Sequence, residues 1–103
     1  MIIDNIHVEN SLKDYIVAIS RYTREQDELS LGASPRASLN LFKSSQAWAL
    51  YQGRDYVIPD DIMAMAPHVL EHRLRIRQEA KLKQITALDI IKRALEKVEK
   101  PKV

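Results

Sequence analysis

Cysteine is absent from this 103-residue chain, and glycine occurs only at Gly32 and Gly53. Without thiols there is no disulfide framework, no thiolate metal site and no cysteine nucleophile. The two glycines are too far apart for a phosphate-binding loop or a dinucleotide fingerprint, both of which need closely spaced glycines. This chain alone therefore cannot build either kind of ATP or NAD site, and scarce glycine also argues against turn-rich sandwiches and barrels. A surplus of one charge is missing too: 16 Lys and Arg against 14 Asp and Glu leave +2, too little to imply a polyanion-binding protein. No apolar run approaches the roughly 18 residues of a membrane span. The N-terminal MIIDNIHVEN lacks the basic start and apolar stretch of a signal peptide, so a cytoplasmic protein is the expectation. What is present, 46% hydrophobic and 29% charged residues, is the mixture of one compact domain.

The spacing predicts four amphipathic helices and one short extended piece, hence an all-α fold, a small four-helix bundle. Leu12, Tyr15, Ile16, Ile19 and Tyr22 form the first stripe, with Ser11 and Asp14 as a capping pair and an end near Gln26 before the turn-forming DELSLGASP. Ser34 is placed to cap the second helix and Pro35 to occupy its first position, where the missing N–H costs nothing. Leu39, Phe42, Gln46, Ala49 and Leu50 follow one side of that helix, and Ala37, Leu41, Ser45 and Trp48 another, which predicts a central helix. Gly53 suits its left-handed terminus. Asp55-Tyr56-Val57-Ile58 reads as extended, and Pro59-Asp60-Asp61 restarts a helix. Pro67 predicts two short helices or one kinked helix over residues 62–74. Arg73, Arg75, Arg77, Lys81 and Lys83 read as an exposed loop or fraying helix end. Thr86 and Asp89 start the last helix, with Leu88, Ile91, Leu95 and Val98 on one face.

Three features are candidates for chemistry. His68-Val69-Leu70-Glu71-His72 formally matches the H-x-x-E-H pattern of inverted zinc proteases, but a third ligand and a cleft are missing, so two solvent-facing histidines and no metal site are expected. The basic stretch has no aromatic stacking partners and reads as a solvated face. Arg36 is different. It falls in the first turn of the second helix, where unsatisfied N–H groups disfavour a cation by roughly 0.3–1 kcal/mol. A phosphate or carboxylate bound there would compensate; a side chain swung back into water satisfies the same physics. Tyr15, Ile16, Phe42 and Trp48 read as core.

The run Leu12-Lys13-Asp14-Tyr15-Ile16-Val17, then Thr23-Arg24, then Leu31-Gly32-Ala33-Ser34-Pro35-Arg36-Ala37, then Gly53-Arg54-Asp55-Tyr56-Val57-Ile58-Pro59-Asp60-Asp61-Ile62, followed by H-R-L, resembles the C-terminal lid of MoxR-type AAA+ ATPases over nearly the whole chain. Ile58 departs from that family's frequent Thr and loses a helix cap. The resemblance implies a lid over 11–100, a connection over 1–10 from a P-loop core that precedes it, and a tail over 101–103. It implies that Arg36 is the sensor 2 residue reaching the phosphates of ATP, with Ser34 and Pro35 beside it and Tyr15 and Ile16 as candidates for packing against the adenine. It further implies ATP and Mg2+ in the full-length protein, a ring of subunits, a client protein, and a chaperone-like role in maturation or metal insertion, with no activity for this piece alone. Residues 54–62 also resemble the second loop and final helix of histone-fold proteins, which dimerise and bind DNA. That alternative is disfavoured by composition.

Overall fold

The computed structural model describes residues 3–102; the parts of the expected connection and tail that fall on residues 1, 2 and 103 lie outside them. A 3-10 turn at Ile3–Asn5 leads into α1 (Asn10–Arg24), strand β1 (Leu29–Leu31), α2 (Pro35–Tyr51) and α3 (Pro59–Leu70). A second 3-10 turn (Glu71–Arg73), strand β2 (Arg75–Ile76), the short α4 (Gln78–Leu82) and α5 (Ala87–Lys97) follow. Helices dominate, as an all-α fold requires. α2 is the central helix, packed on α1 and α3, and α5 closes against the same two. The core includes Leu12, Ile19, Leu41, Ile62, Leu70 and Ile91, all fully buried.

Several boundaries differ from the sequence expectation, each for a physical reason. α1 begins at Asn10 after Glu9, with no side-chain cap, so Ser11 and Asp14 form no capping box; the buried Val8 brings the chain to the helix before Ser11 is reached. It ends at Arg24, not Gln26. α3 runs through Pro67 without splitting. Proline removes one ladder bond there, but Ile62, Ala66 and Leu70, one turn apart and fully buried, anchor the helix on both sides of it. The segment read as a turn before Gly32 and the basic stretch after α3 pair with each other: β1 and β2 run antiparallel, with Leu29 opposite Ile76 and Leu31 opposite Arg75, and the Arg77 N–H donates to the Glu28 carbonyl at 2.8 Å. The basic heads are exposed as expected, and the backbone beneath them is only in part loop: Arg73 is in the 3-10 turn, Arg75 in β2 and Lys81 in α4, while Arg77 and Lys83 lie outside the helices and strands. Phe42 and Trp48 are half-buried instead of core, Leu39 is 51% exposed, and α5 buries Ile90 and Ala94 with Ile91.

Residues 3–10 pack as part of the domain. Ile6 and Val8 are buried, the Ile6 carbonyl accepts from Gln46 Nε2 at 2.9 Å, and His7 exchanges backbone bonds with the extended segment before α3, accepting from the Val57 N–H and donating to the Asp55 carbonyl, both at 2.9 Å.

An ion pair ties the ribbon to α5: Arg93 Nη1 donates to Glu28 Oε2 at 2.8 Å. The bond from Arg93 holds the Glu28 carboxyl below its ordinary pKa. A depressed carboxyl contributes stability that is present above the ordinary glutamate pKa of about 4.3 and lost as pH falls through the lower folded value. Glu28→Gln is therefore expected to lower Tm at neutral pH by a small margin that vanishes in acid, as thermal melts at a series of pH values will show. A margin that persists unchanged below pH 3 would contradict this.

Candidate functional site

Arg36 sits where the sequence places it, in the first turn of α2, and its side chain is exposed. Ser34 is the N-cap: its Oγ accepts from the Ala37 N–H at 3.2 Å, and its carbonyl accepts from the Ser38 N–H at 3.1 Å. Pro35 at the first position has no N–H. The backbone donor left over in this turn is that of Arg36 itself, so one N–H and one guanidinium belong to the same residue at the positive end of the helix. Among the described residues no carboxylate lies within ion-pair distance of Arg36.

The approach to this turn is locked against the end of α1. Thr23 Oγ1 donates to the Ser20 carbonyl at 2.7 Å and accepts from the Ala33 N–H at 2.9 Å. Arg24 Nη1 donates to the Ala33 carbonyl at 2.8 Å. Ala33, itself fully buried, thus has both backbone groups fixed by consecutive side chains of α1. Gly32 allows the close approach: a Cβ there would lie 2.7 Å from Arg24 Cα and 2.8 Å from its backbone nitrogen, and backbone atoms cannot move aside as a side-chain tip can. Gly32→Ala is expected to destabilise the chain by about 1–3 kcal/mol through this overlap, measurable as a lower urea midpoint. An unchanged midpoint would mean that the loop has slack here. Thr23, Arg24 and Gly32 carry no periodic signal; their fixed order before Ser34-Pro35-Arg36 is the trace they leave in the sequence.

Apolar surface flanks the arginine. Leu39, one turn along α2, and Leu31, just ahead of the cap, are each 51% exposed, and Val17 of α1 is 43% exposed. Val17 lies one turn before Ser20, whose Oγ is hydrogen-bonded to Ser38 Oγ at 2.6 Å, so it belongs to the part of α1 that meets the first turns of α2.

Tyr15 and Ile16 are elsewhere: both are 3% exposed and packed in the core. The Tyr15 hydroxyl has no hydrogen-bond partner among the described residues, and burial raises its pKa, with Lys100 opposing that shift and Asp60 adding to it. His68 and His72 are both exposed, and His72 lies beyond α3 in the 3-10 turn, so the pair does not share one regular helix.

The second rigid element near α2 is its exit. Gly53, at φ +83°, terminates the helix in the left-handed region. Arg54 Nη1 and Nη2 then donate to Asp61 Oδ2 and Oδ1, each at 2.7 Å, while Asp61 Oδ2 also accepts from the Ile58 N–H at 2.8 Å. This carboxylate, 1% exposed, takes over the start of α3 that Ile58 cannot cap. Its hydrogen bonds raise the Arg54 pKa further above the ordinary arginine value.

Comparison with known proteins agrees with this geometry. The AAA lid domain family matches residues 21–94. The chain is 43% identical over 99 residues to the uncharacterised protein YeaC of Bacillus subtilis, covering 96% of this chain and 31% of that one. It is 38% identical over 108 residues to the chaperone MoxR1 of Mycobacterium tuberculosis, covering 96% and 29%. A crystallised protein of Cytophaga hutchinsonii, assigned as an ATPase, superposes with a TM-score of 0.89 at 32% identity over 97% of this chain and 33% of its own. The chain therefore spans about a third of the length of the proteins it matches, and with the family shown the histone-like alternative falls away. It belongs to the AAA lid domain family, as the C-terminal helical lid of a MoxR-type AAA+ ATPase.

Proposed function

We propose that Arg36 is the sensor 2 arginine of this lid, reaching the terminal phosphates of ATP bound to a P-loop core and linking hydrolysis to movement of the lid. The observation that carries the reading is an exposed, unpaired arginine beside the free N–H of its own helix start. Both donors suit a phosphate oxygen, and the guanidinium can make two parallel hydrogen bonds. Ser34 and Pro35 contribute by shaping the turn, and the exposed Leu31, Leu39 and Val17 supply an apolar rim for the core to cover. Tyr15 and Ile16, being buried, support α1 from within instead of touching the base.

In this reading Mg2+ would be held at the core together with the phosphates of the nucleotide. The lid's part is to bind and orient the phosphates and to add positive charge where negative charge develops during transfer. Loss of the terminal phosphate removes the partner of Arg36, and the lid turns as a rigid body. The connection read over residues 1–10 would carry this movement, and the burial of Ile6 and Val8 supports a pivot toward its start. In a ring of subunits that movement passes to neighbours and to a client protein, in keeping with the chaperone MoxR1 among the relatives; maturation or metal insertion in that client is the corresponding cellular role. The test is steady-state ATP hydrolysis by the whole ATPase with Arg36 and with Arg36→Ala. Equal turnover overturns the assignment.

A further inference from the structure

Independently of Arg36, the outer faces of α2 and α3 enclose a groove whose two ends differ in chemistry. At one end Ala47, Trp48, Tyr51 and Met65 form an apolar depression. Trp48 and Tyr51 stack with ring centroids 5.5 Å apart, and Tyr51 is 79% exposed. At the other end Lys43, His68, His72 and Arg73 surround a second depression, and Ser44 belongs to the walls of both. Ser44 adjoins both, and their walls follow one another along the helices: residues 40, 43, 44, 47, 48 and 51 recur at helical spacing on one side of α2, opposite 65, 68, 69 and 72 taken in reverse order. From Asn40 to Tyr51 the helix rises roughly 16 Å. Among the described residues no carboxylate lines either depression; Glu71, in the adjoining turn, is outside the walls.

We propose that this groove docks an acidic segment of a partner protein, with one or two bulky apolar side chains against Trp48, Tyr51 and Met65 and carboxylates facing Lys43 and Arg73. Charge complementarity selects that occupant. Two permanent cations with two imidazoles and no acid in the walls they share are a site for negative charge, Lys43 also bordering the depression of Asp4 and Glu9 on its other side, while the exposed Tyr51 and half-buried Trp48 and Met65 beside them suit an apolar anchor. A nucleic acid fits less well, since phosphates recur along its whole length and the cations here are gathered at one end.

Trp48 is the chain's one tryptophan and reports occupancy directly. The probe is a synthetic peptide of about 12 residues, a helical length close to that of the groove, with two leucines one turn apart followed by a turn of glutamates. Titrated into the chain, it is expected to shift Trp48 emission saturably. Exchange of its glutamates for lysines should weaken binding about tenfold or more, as should the double variant Lys43→Glu with Arg73→Glu, and Tyr51→Ala should weaken it about fivefold. Circular dichroism of each variant confirms that the helices remain. No saturable response up to about 1 mM peptide, an equal response to the lysine peptide, tighter binding of oligothymidylate, or self-association that Tyr51→Ala abolishes would each overturn the proposal.

Discussion

Arg36→Ala in the whole ATPase is expected to lower kcat for ATP hydrolysis by about 100- to 1000-fold, the range seen when one positioned donor to a developing charge is removed. The stability of the lid should move the other way. Arg36 is exposed and makes no ion pair among the described residues, so its removal forfeits little packing. Taking a cation from the positive end of α2 relieves about 0.3–1 kcal/mol. A variant whose lid melts at the same temperature or slightly higher, and whose turnover collapses, has lost a functional group and not a structural one. Arg36→Lys separates charge from shape: an ammonium retains the attraction but not the two-pronged geometry, so partial turnover is expected. If Arg36→Ala lowers the melting temperature by several degrees and leaves hydrolysis intact, the arginine serves the fold and some other residue senses the nucleotide.

Legibility in the sequence followed the range of the interactions involved. The start of α2 was readable because Ser34 and Pro35 act within one turn, and Ser34 does accept from the Ala37 N–H. The same holds for Gly53, for Pro59 and for Thr86, whose Oγ1 accepts from Asp89 while Asp89 Oδ2 accepts from the Thr86 N–H. Arg36 was readable for a related reason, since a cation at the wrong end of a helix is a local electrostatic mismatch. Features made by distant segments left no such trace. The strands Leu29–Leu31 and Arg75–Ile76 are too short to show alternation and exist only because they meet. The bonds that fix the approach to α2 join Thr23 and Arg24 to Ala33 across a chain reversal, and no periodicity encodes them. Hydrophobicity was the weaker guide to burial: Leu39 and Trp48 share stripes with core residues, yet Leu39 is exposed and Trp48 only half-buried, because α1 and α3 cover the inner side of α2 and leave its outer side open.

Asp61→Ala is expected to cost the chain about 3–5 kcal/mol, the usual penalty for stripping one partner from a buried ion pair. Three donors converge on this carboxylate, two from the Arg54 guanidinium and one from the Ile58 N–H. The alanine variant leaves Arg54 Nη2 and the Ile58 N–H without that acceptor, and Nη1 with only the Tyr56 carbonyl at 3.2 Å, in a place where water enters poorly: the Arg54 side chain is only 22% exposed and that of Asp61 only 2%. Arg54→Ala should be nearly as damaging, since it abandons the carboxylate in the interior. The double variant Arg54→Met with Asp61→Leu should recover much of the loss, because no charge then remains to be desolvated. Urea denaturation of the native chain, the single variants Arg54→Met and Asp61→Leu, and the double variant closes the cycle, with a coupling free energy of at least about 1.5 kcal/mol expected if the residues act as one unit. Additive losses would show instead that Asp61 matters for capping α3 alone. The pair spans the turn that sets α3 beside α2, so the groove between them depends on it: in Asp61→Ala the peptide-induced change in Trp48 emission should fade at urea concentrations where the native chain still responds.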